Sequence, residues 1–178
     1  WTPIASGNFE YTDKWFVGNF TSDDKADLAR AYSFNGQRKI EVYTSTGSAF
    51  EIPTSWITDG SFAADDVWLT GDFGGNGLTS FAIVEAGDTV SIRLLLSNGS
   101  TGFDPSDMGG THGDRLSTMK WLAEDFSGDG ATQIASVRDD NGAVSIDLHS
   151  PSGVTTSSSL GSFDRADKWF AADFDGTK

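Results

Sequence analysis

Three short stretches concentrate the side-chain oxygens of this sequence: Asn19-Phe-Thr21-Ser-Asp23-Asp-Lys25-Ala-Asp27, Asp72-Phe-Gly74-Gly-Asn76-Gly-Leu78-Thr-Ser80 and Asp125-Phe-Ser127-Gly-Asp129-Gly-Ala131-Thr-Gln133. Counted from the first residue of each, alternating positions 1, 3, 5 and 9 carry carboxylate, amide or hydroxyl oxygens, position 7 offers a backbone carbonyl, and glycine at position 6 of the second and third permits a tight turn. Hard cations such as Ca²⁺ are wrapped by such alternating oxygens. The sets are incomplete: Gly74 has no side-chain oxygen, Ser80 and Gln133 stand where a carboxylate would, and Asn19 is an amide. So few charges place any calcium affinity in the weak extracellular class, with Kd roughly 10⁻⁴–10⁻³ M. The same Asp and Asn residues also make turns without metal by capping their own backbone. In the first loop, the Lys25 ammonium can neutralise Asp23 and Asp27 in place of a cation.

Other chemistry finds little support. His112 lies in a Gly-rich loop and His149 on an expected strand, in different parts of the chain. No Gly-x-Ser-x-Gly elbow surrounds any serine, so nothing in the motifs ties a nucleophile to a base. The acidic pairs Asp65-Asp66 and Asp139-Asp140 have the residue types of glycoside hydrolysis, but they sit beside turn signals and read as solvated surface. The expectation is a binding protein rather than an enzyme.

The loops are positioned by a repeat. Lys14-Trp-Phe-Val-Gly-Asn-Phe20, Val67-Trp-Leu-Thr-Gly-Asp-Phe73, Lys120-Trp-Leu-Ala-Glu-Asp-Phe126 and Lys168-Trp-Phe-Ala-Ala-Asp-Phe174 align, with tryptophans 53, 53 and 48 residues apart. A glycine landmark at Gly47, Gly99 and Gly153 recurs at intervals of 52 and 54 residues. Each repeat reads as short strands: Trp15 to Phe20, Asp27 to Phe34, a turn at Asn35-Gly36, Lys39 to Ser45, and a fourth strand near Phe50 to Phe62. Asn-Gly between alternating apolar residues is a strong hairpin signal. The third repeat copies it with Gln133 to Arg138, Asn141-Gly142 and Ala143 to Ser150; the second substitutes Ala86-Gly87-Asp88. Four short antiparallel strands per unit of about 50 residues, with no helical period, is the pattern of β-propeller blades.

Composition agrees. Of 178 residues, 37% are apolar and 12% aromatic, enough to build a core. The net charge of −14 would repel a phosphate backbone, which argues against nucleic acid. No apolar run approaches the roughly 18 residues that a spanning helix needs, so no membrane span is expected. With no cysteine, thiols say nothing of the compartment.

The loop and strand pattern, clearest in Leu122-Ala-Glu-Asp-Phe-Ser-Gly-Asp-Gly130, resembles the FG-GAP or VCBS repeat family, the propeller repeats of integrin α-subunit heads and of many secreted bacterial and fungal proteins. The resemblance covers essentially the whole chain. It implies an all-β fold, one partial β-propeller domain over residues 1–178, with repeats at 14–62, 67–116 and 120–163 and partial repeats at 1–9 and 168–178. That is about half of a seven-bladed ring, expected to be either a fragment or a half-ring completed by a second half-propeller chain or by self-association. It further implies a secreted protein with Ca²⁺ ligands at Asn19, Asp23 and Asp27, at Asp72, Asn76 and Ser80, and at Asp125, Ser127, Asp129 and Gln133. Similarity to the seven-bladed propeller lectins implies multivalent glycan binding between blades. The residues expected to line those sites are Trp56, Asp59, Asp65 and Asp66; His112, Asp114 and Arg115; and Asp164, Arg165 and Asp167. The alternative is a protein-binding or accessory propeller domain of a larger secreted enzyme or toxin. Trp15, Trp68, Trp121 and Trp169 are expected to pack between blades, whereas Trp1 and Trp56 would offer flat faces to sugars.

Overall fold

The computed structural model describes residues 13–61, 63–157, 160–164 and 166–172. Trp1, the segment 1–9, Arg165 and the tail from Asp173 therefore lie outside the described residues. Those described form twelve strands and no helix, so no helix is long and apolar enough to cross a membrane.

The strands make three four-stranded antiparallel sheets, each a meander in sequence order. The first holds β1 (Lys14–Gly18), β2 (Asp27–Phe34), β3 (Gln37–Tyr43) and β4 (Thr54–Ser61). The second holds β5 (Val67–Gly71), β6 (Ser80–Val84), β7 (Ile92–Ser97) and β8 (Phe103–Asp107). The third holds β9 (Lys120–Glu124), β10 (Gln133–Asp140), β11 (Ala143–Ser150) and β12 (Gly153–Ser157). The Asn-Gly pairs at 35–36 and 141–142 turn hairpins: Asn35 and Gly36 have φ of 53° and 78°, and Asn141 and Gly142 of 54° and 88°. Positive φ at both central residues is the turn whose twist matches that of the flanking strands.

The sheets stack face to face, and side-chain alternation shows how. All five residues of β6 are buried. Phe81 and Ile83 point to the first sheet, joining Phe16, Phe20, Ala31, Ile40 and Trp56; Ala82 and Val84 point to the third, with Trp121 and Ile134. A strand covered on both faces must be apolar at successive positions, as Ser-Phe-Ala-Ile-Val is. Trp68 packs at 5.7 Å from Phe81 in the first seam, and Trp121 lies in the second. Trp15 instead stands on the outer face of the first sheet, 41% exposed, against Tyr43.

Both seams share a lock. The Thr79 amide donates to the Asn19 carbonyl at 2.7 Å, and the Thr132 amide to the Asp72 carbonyl at 2.8 Å. Beside each lock is a glycine: a Cβ on Gly18 would lie 2.4 Å from Thr79, and one on Gly71 2.5 Å from Thr132. The strand ends approach too closely for any side chain. Through these contacts β5 and β9, together with β1 and the 169–171 segment, converge on a common cleft of about 360 Å³.

Candidate functional site between the second and third sheets

The three oxygen-rich loops are closed by the protein's own donors. In the third, Asp125 accepts from the amides of Gly128 and Asp129 through Oδ1 and of Gly130 through Oδ2. Those bonds, led by the one from Gly130, hold its pKa below the ordinary carboxylate value. Gln133 Oε1 accepts from the Phe126 and Ser127 amides, and its Nε2 donates to Ser127 Oγ (3.0 Å), Asp129 Oδ1 (3.3 Å) and the Ala131 carbonyl (2.7 Å). Those three acceptors occupy positions 3, 5 and 7, so the amide nitrogen stands where a cation would gather them.

In the first loop, Asp27 is fully buried and spends both oxygens on the amides of Phe20, Thr21 and Ser45 and the Thr21 hydroxyl. Asp23 pairs with Lys25 at 2.7 Å, and that hydrogen bond lowers the Asp23 pKa and raises that of Lys25. The second loop wraps Asp72 with the Asn76 and Gly77 amides, while buried Ser80 accepts from the Ser97 amide. Asn19 Nδ2 reaches the Gly77 carbonyl at 3.5 Å. Among the described residues no three acidic or histidine side chains gather as a metal would require. The third and first loops do not fit a cation without displacing the Gln133 amide and the Lys25 ammonium respectively.

The seams themselves differ in a more informative way. Between the first and second sheets, Arg38 is 1% exposed and lies 3.7 Å from Asp59, 3.8 Å from Asp66 and 3.6 Å from Glu85. Arg93 joins Glu85 at 3.2 Å and Asp59 at 3.5 Å. Asp66 also accepts from the amides of Ala63 and Ala86. The buried guanidinium is balanced in charge by these carboxylates at ion-pair distance, while its Nε and Nη1 and Asp59 Oδ1 make no hydrogen bond.

The register identifies the same positions one sheet later. Ile40 pairs with Ala31 as Ile92 pairs with Val84, so Val90 stands where Arg38 stood. Asp59 and His112 each precede a left-handed glycine that closes the sheet edge, Gly60 and Gly113. Asp66 gives way to Met119, each closing a four-residue turn before the next tryptophan strand. The cross-strand pair Glu85–Arg93 is inverted to Arg138–Asp147, at 2.8 Å.

Replacing Arg38 by Val90 and Asp66 by Met119 removes the plug. What remains is a cleft of about 450 Å³, within the roughly 300–1,000 Å³ typical of small-molecule sites. Leu116, Met119 and Val154 give it apolar walls, and Thr111, Asp114, Arg138, Asp147 and Thr156 supply polar groups. Thr156 Oγ1 donates to Asp147 at 2.6 Å, so the pair at the base is fixed by a third group.

Behind the cleft wall lies a buried polar chain. Ser136 Oγ is 2.9 Å from His149 Nε2, His149 Nδ1 is 3.4 Å from His112 Nδ1, and His112 Nε2 is 2.8 Å from the Gly109 carbonyl. Burial, reinforced by the positive charge His112 can carry, pushes the His149 pKa down to about 4 against a smaller opposing pull from Asp147.

The expected ligand residues divide accordingly. His112 and Asp114 meet at the cleft. Trp56 is 7% exposed, packed on Phe103 at 5.1 Å with its indole N–H donating to Thr54, so its face is not offered to solvent. Asp59 and Asp66 belong to the Arg38 cluster, and Arg115 donates to the Asp65 carbonyl at 2.6 Å. Asp164 caps the Ala166 amide, and Asp167 lies with Lys168 and Trp169 at another cleft. Arg138, Asp147 and the Ser136–His149 contact escape a motif search, although aligning the repeats position by position places Arg138 opposite Glu85 and Asp147 opposite Arg93. Comparison with protein-family models, curated proteins and solved structures gives no match.

Proposed function

We propose that this chain is a carbohydrate-binding module, a run of β-propeller blades of the FG-GAP or VCBS kind, with its sugar site in the cleft between the second and third sheets. Support for the propeller comes from the three sequential four-stranded sheets, the repeated lock between neighbours and the convergence of their first strands on one cleft.

The observation that carries the binding reading is the missing plug: the position filled by Arg38 in one seam is Val90 in the next, and the space so left has apolar walls and a polar floor. A pyranose presents the matching surface, with C–H groups for Leu116, Met119 and Val154 and hydroxyls for Thr111, Asp114 and Arg138. Because the first seam is plugged, the reading assigns one site to the described residues. No cation takes part in it, since none of the three oxygen-rich loops lines the cleft. Ser136 is sealed in the seam at 0% exposure, which favours binding over nucleophilic chemistry.

Calorimetric titration with a panel of soluble mono- and disaccharides at millimolar concentration tests the reading. Saturable binding of one sugar per chain is expected. No heat from any sugar would overturn it and move the assignment to a protein-binding propeller.

A further inference from the structure

The relay behind the cleft is specific to one seam. Ile83 and Leu95, both fully buried, occupy in the second sheet the positions that Ser136 and His149 hold in the third, since Phe81 pairs with Leu95 as Ile134 pairs with His149. An apolar pair has thus been exchanged for a hydroxyl and an imidazole, and His112 is brought in from the preceding loop to meet them. All three are buried, at 0%, 2% and 7% exposure.

With both rings neutral the hydrogen bonds set the proton positions. The Gly109 carbonyl can only accept, so His112 Nε2 carries hydrogen and its Nδ1 is a bare acceptor. His149 Nδ1–H then donates to His112, and its Nε2 accepts from the Ser136 hydroxyl, which completes the chain. One added proton can be housed by reversing the two inner bonds, but it leaves an imidazolium in an apolar seam. A second proton turns two N–H groups against each other across 3.4 Å.

Compensation from neighbours is weak. On its own strand His149 sees Asp147, whose oxygens already serve Arg138 and Thr156. Trp121 of β9 packs on the ring at 5.0 Å without charge, and from the loop after β8 the facing group is His112 itself. Arg138 of β10 adds positive charge, and Asp114 lies on the cleft side of His112.

We propose that the Ser136–His149–His112 relay is an acid-operated latch on the seam between the second and third sheets, holding the His112 wall of the cleft at neutral pH and releasing it when His149 takes up a proton. The direction follows from linkage. Open, His149 would titrate near its ordinary value of 6.5; closed, it titrates near 4. Opening is therefore favoured progressively as pH falls from about 6.5 to about 4, by up to tenfold per pH unit for one proton, and levels off below. The regulatory meaning, ligand release in acid, rests on the cleft being the binding site; the latch itself needs no occupant.

Hydrogen exchange read by mass spectrometry on the full chain at pH 7 and pH 4.5, corrected for the intrinsic pH dependence of exchange, tests it without a ligand. In wild type, protection of the peptide covering Gly109 to Gly113 is expected to fall at least about tenfold at pH 4.5, while Phe81 and Trp56 peptides of the first seam hold theirs. His149→Leu, which restores the residue type of the second sheet, and His149→Gln, which keeps a donor and an acceptor but cannot titrate, are both expected to abolish the fall, whereas His112→Gln, which removes only the smaller cause, is expected to reduce it. Should His149→Leu fail to fold, His149→Gln decides alone. Unchanged wild-type protection, an equal loss in both seams, or a fall that persists in His149→Gln would overturn the latch. A seam that loosens in acid on a protein binding no sugar removes the proposed function and leaves the latch standing, whereas sugar binding with a seam indifferent to pH removes the latch alone.

Discussion

Arg38 shows how much one residue can decide. Removing it strands Asp59, Asp66 and Glu85 beside a cavity in the first seam. Breaking a buried ion cluster from one side costs about 3–5 kcal/mol, so Arg38→Ala is expected to lose roughly 3 kcal/mol in urea denaturation. A loss below about 1 kcal/mol would mean that the cluster is solvated and the seam unplugged. Gln133 makes the opposite kind of prediction. Its amide nitrogen holds together Ser127, Asp129 and the Ala131 carbonyl, and Gln133→Asp exchanges that donor for an anionic oxygen. The variant should gain calcium-dependent stability, about 1.4 kcal/mol at calcium tenfold above Kd, which is about 4 °C in Tm for a chain of this size. An equal rise in wild type would show that the Gln133 amide yields readily to the cation.

At the scale of elements, the glycine notches set the spacing of the stack. Gly71→Ala places a methyl group 2.5 Å from Thr132, and overpacking of this kind costs about 1–3 kcal/mol. Thermal denaturation should show that loss, and adding Thr132→Ala should recover part of it; no interaction between the two substitutions would argue against a shared notch. In the third sheet Glu124 occupies the notch position, and its carboxylate accepts from the Asp125 amide. The strands were legible in the sequence because each is a local matter: alternation with period two, and Asn-Gly where both residues must adopt positive φ. β2 and β11 run where the pattern placed them, β3 starts two residues before Lys39, and β10 extends past Arg138 to Asp140. The site was legible only in part. His112 and Asp114 stood out by type, but Val90 and Met119 matter for what they are not, and that emerges only when seams are superposed through their registers. Similarly, the oxygen pattern of the loops was visible, whereas the use of Gln133 Nε2 to satisfy it is a packing outcome.

At the scale of the whole molecule, similar sheets stack so that one seam is plugged by charge and the next keeps a cleft with apolar and polar walls, the proposed sugar site. The open seam is also the one carrying the titratable relay, so a single interface would both bind and respond to acid. Glycan-array binding by wild type and by Val154→Phe, each with millimolar calcium and with a chelator, tests this most directly, because a phenyl ring at Val154 fills the cleft from β12 without touching the Arg38 seam. The account predicts glycan binding by wild type, at least tenfold weaker binding by Val154→Phe, and no effect of the chelator on either. Binding that Val154→Phe retains in full, or no binding by wild type, would contradict it.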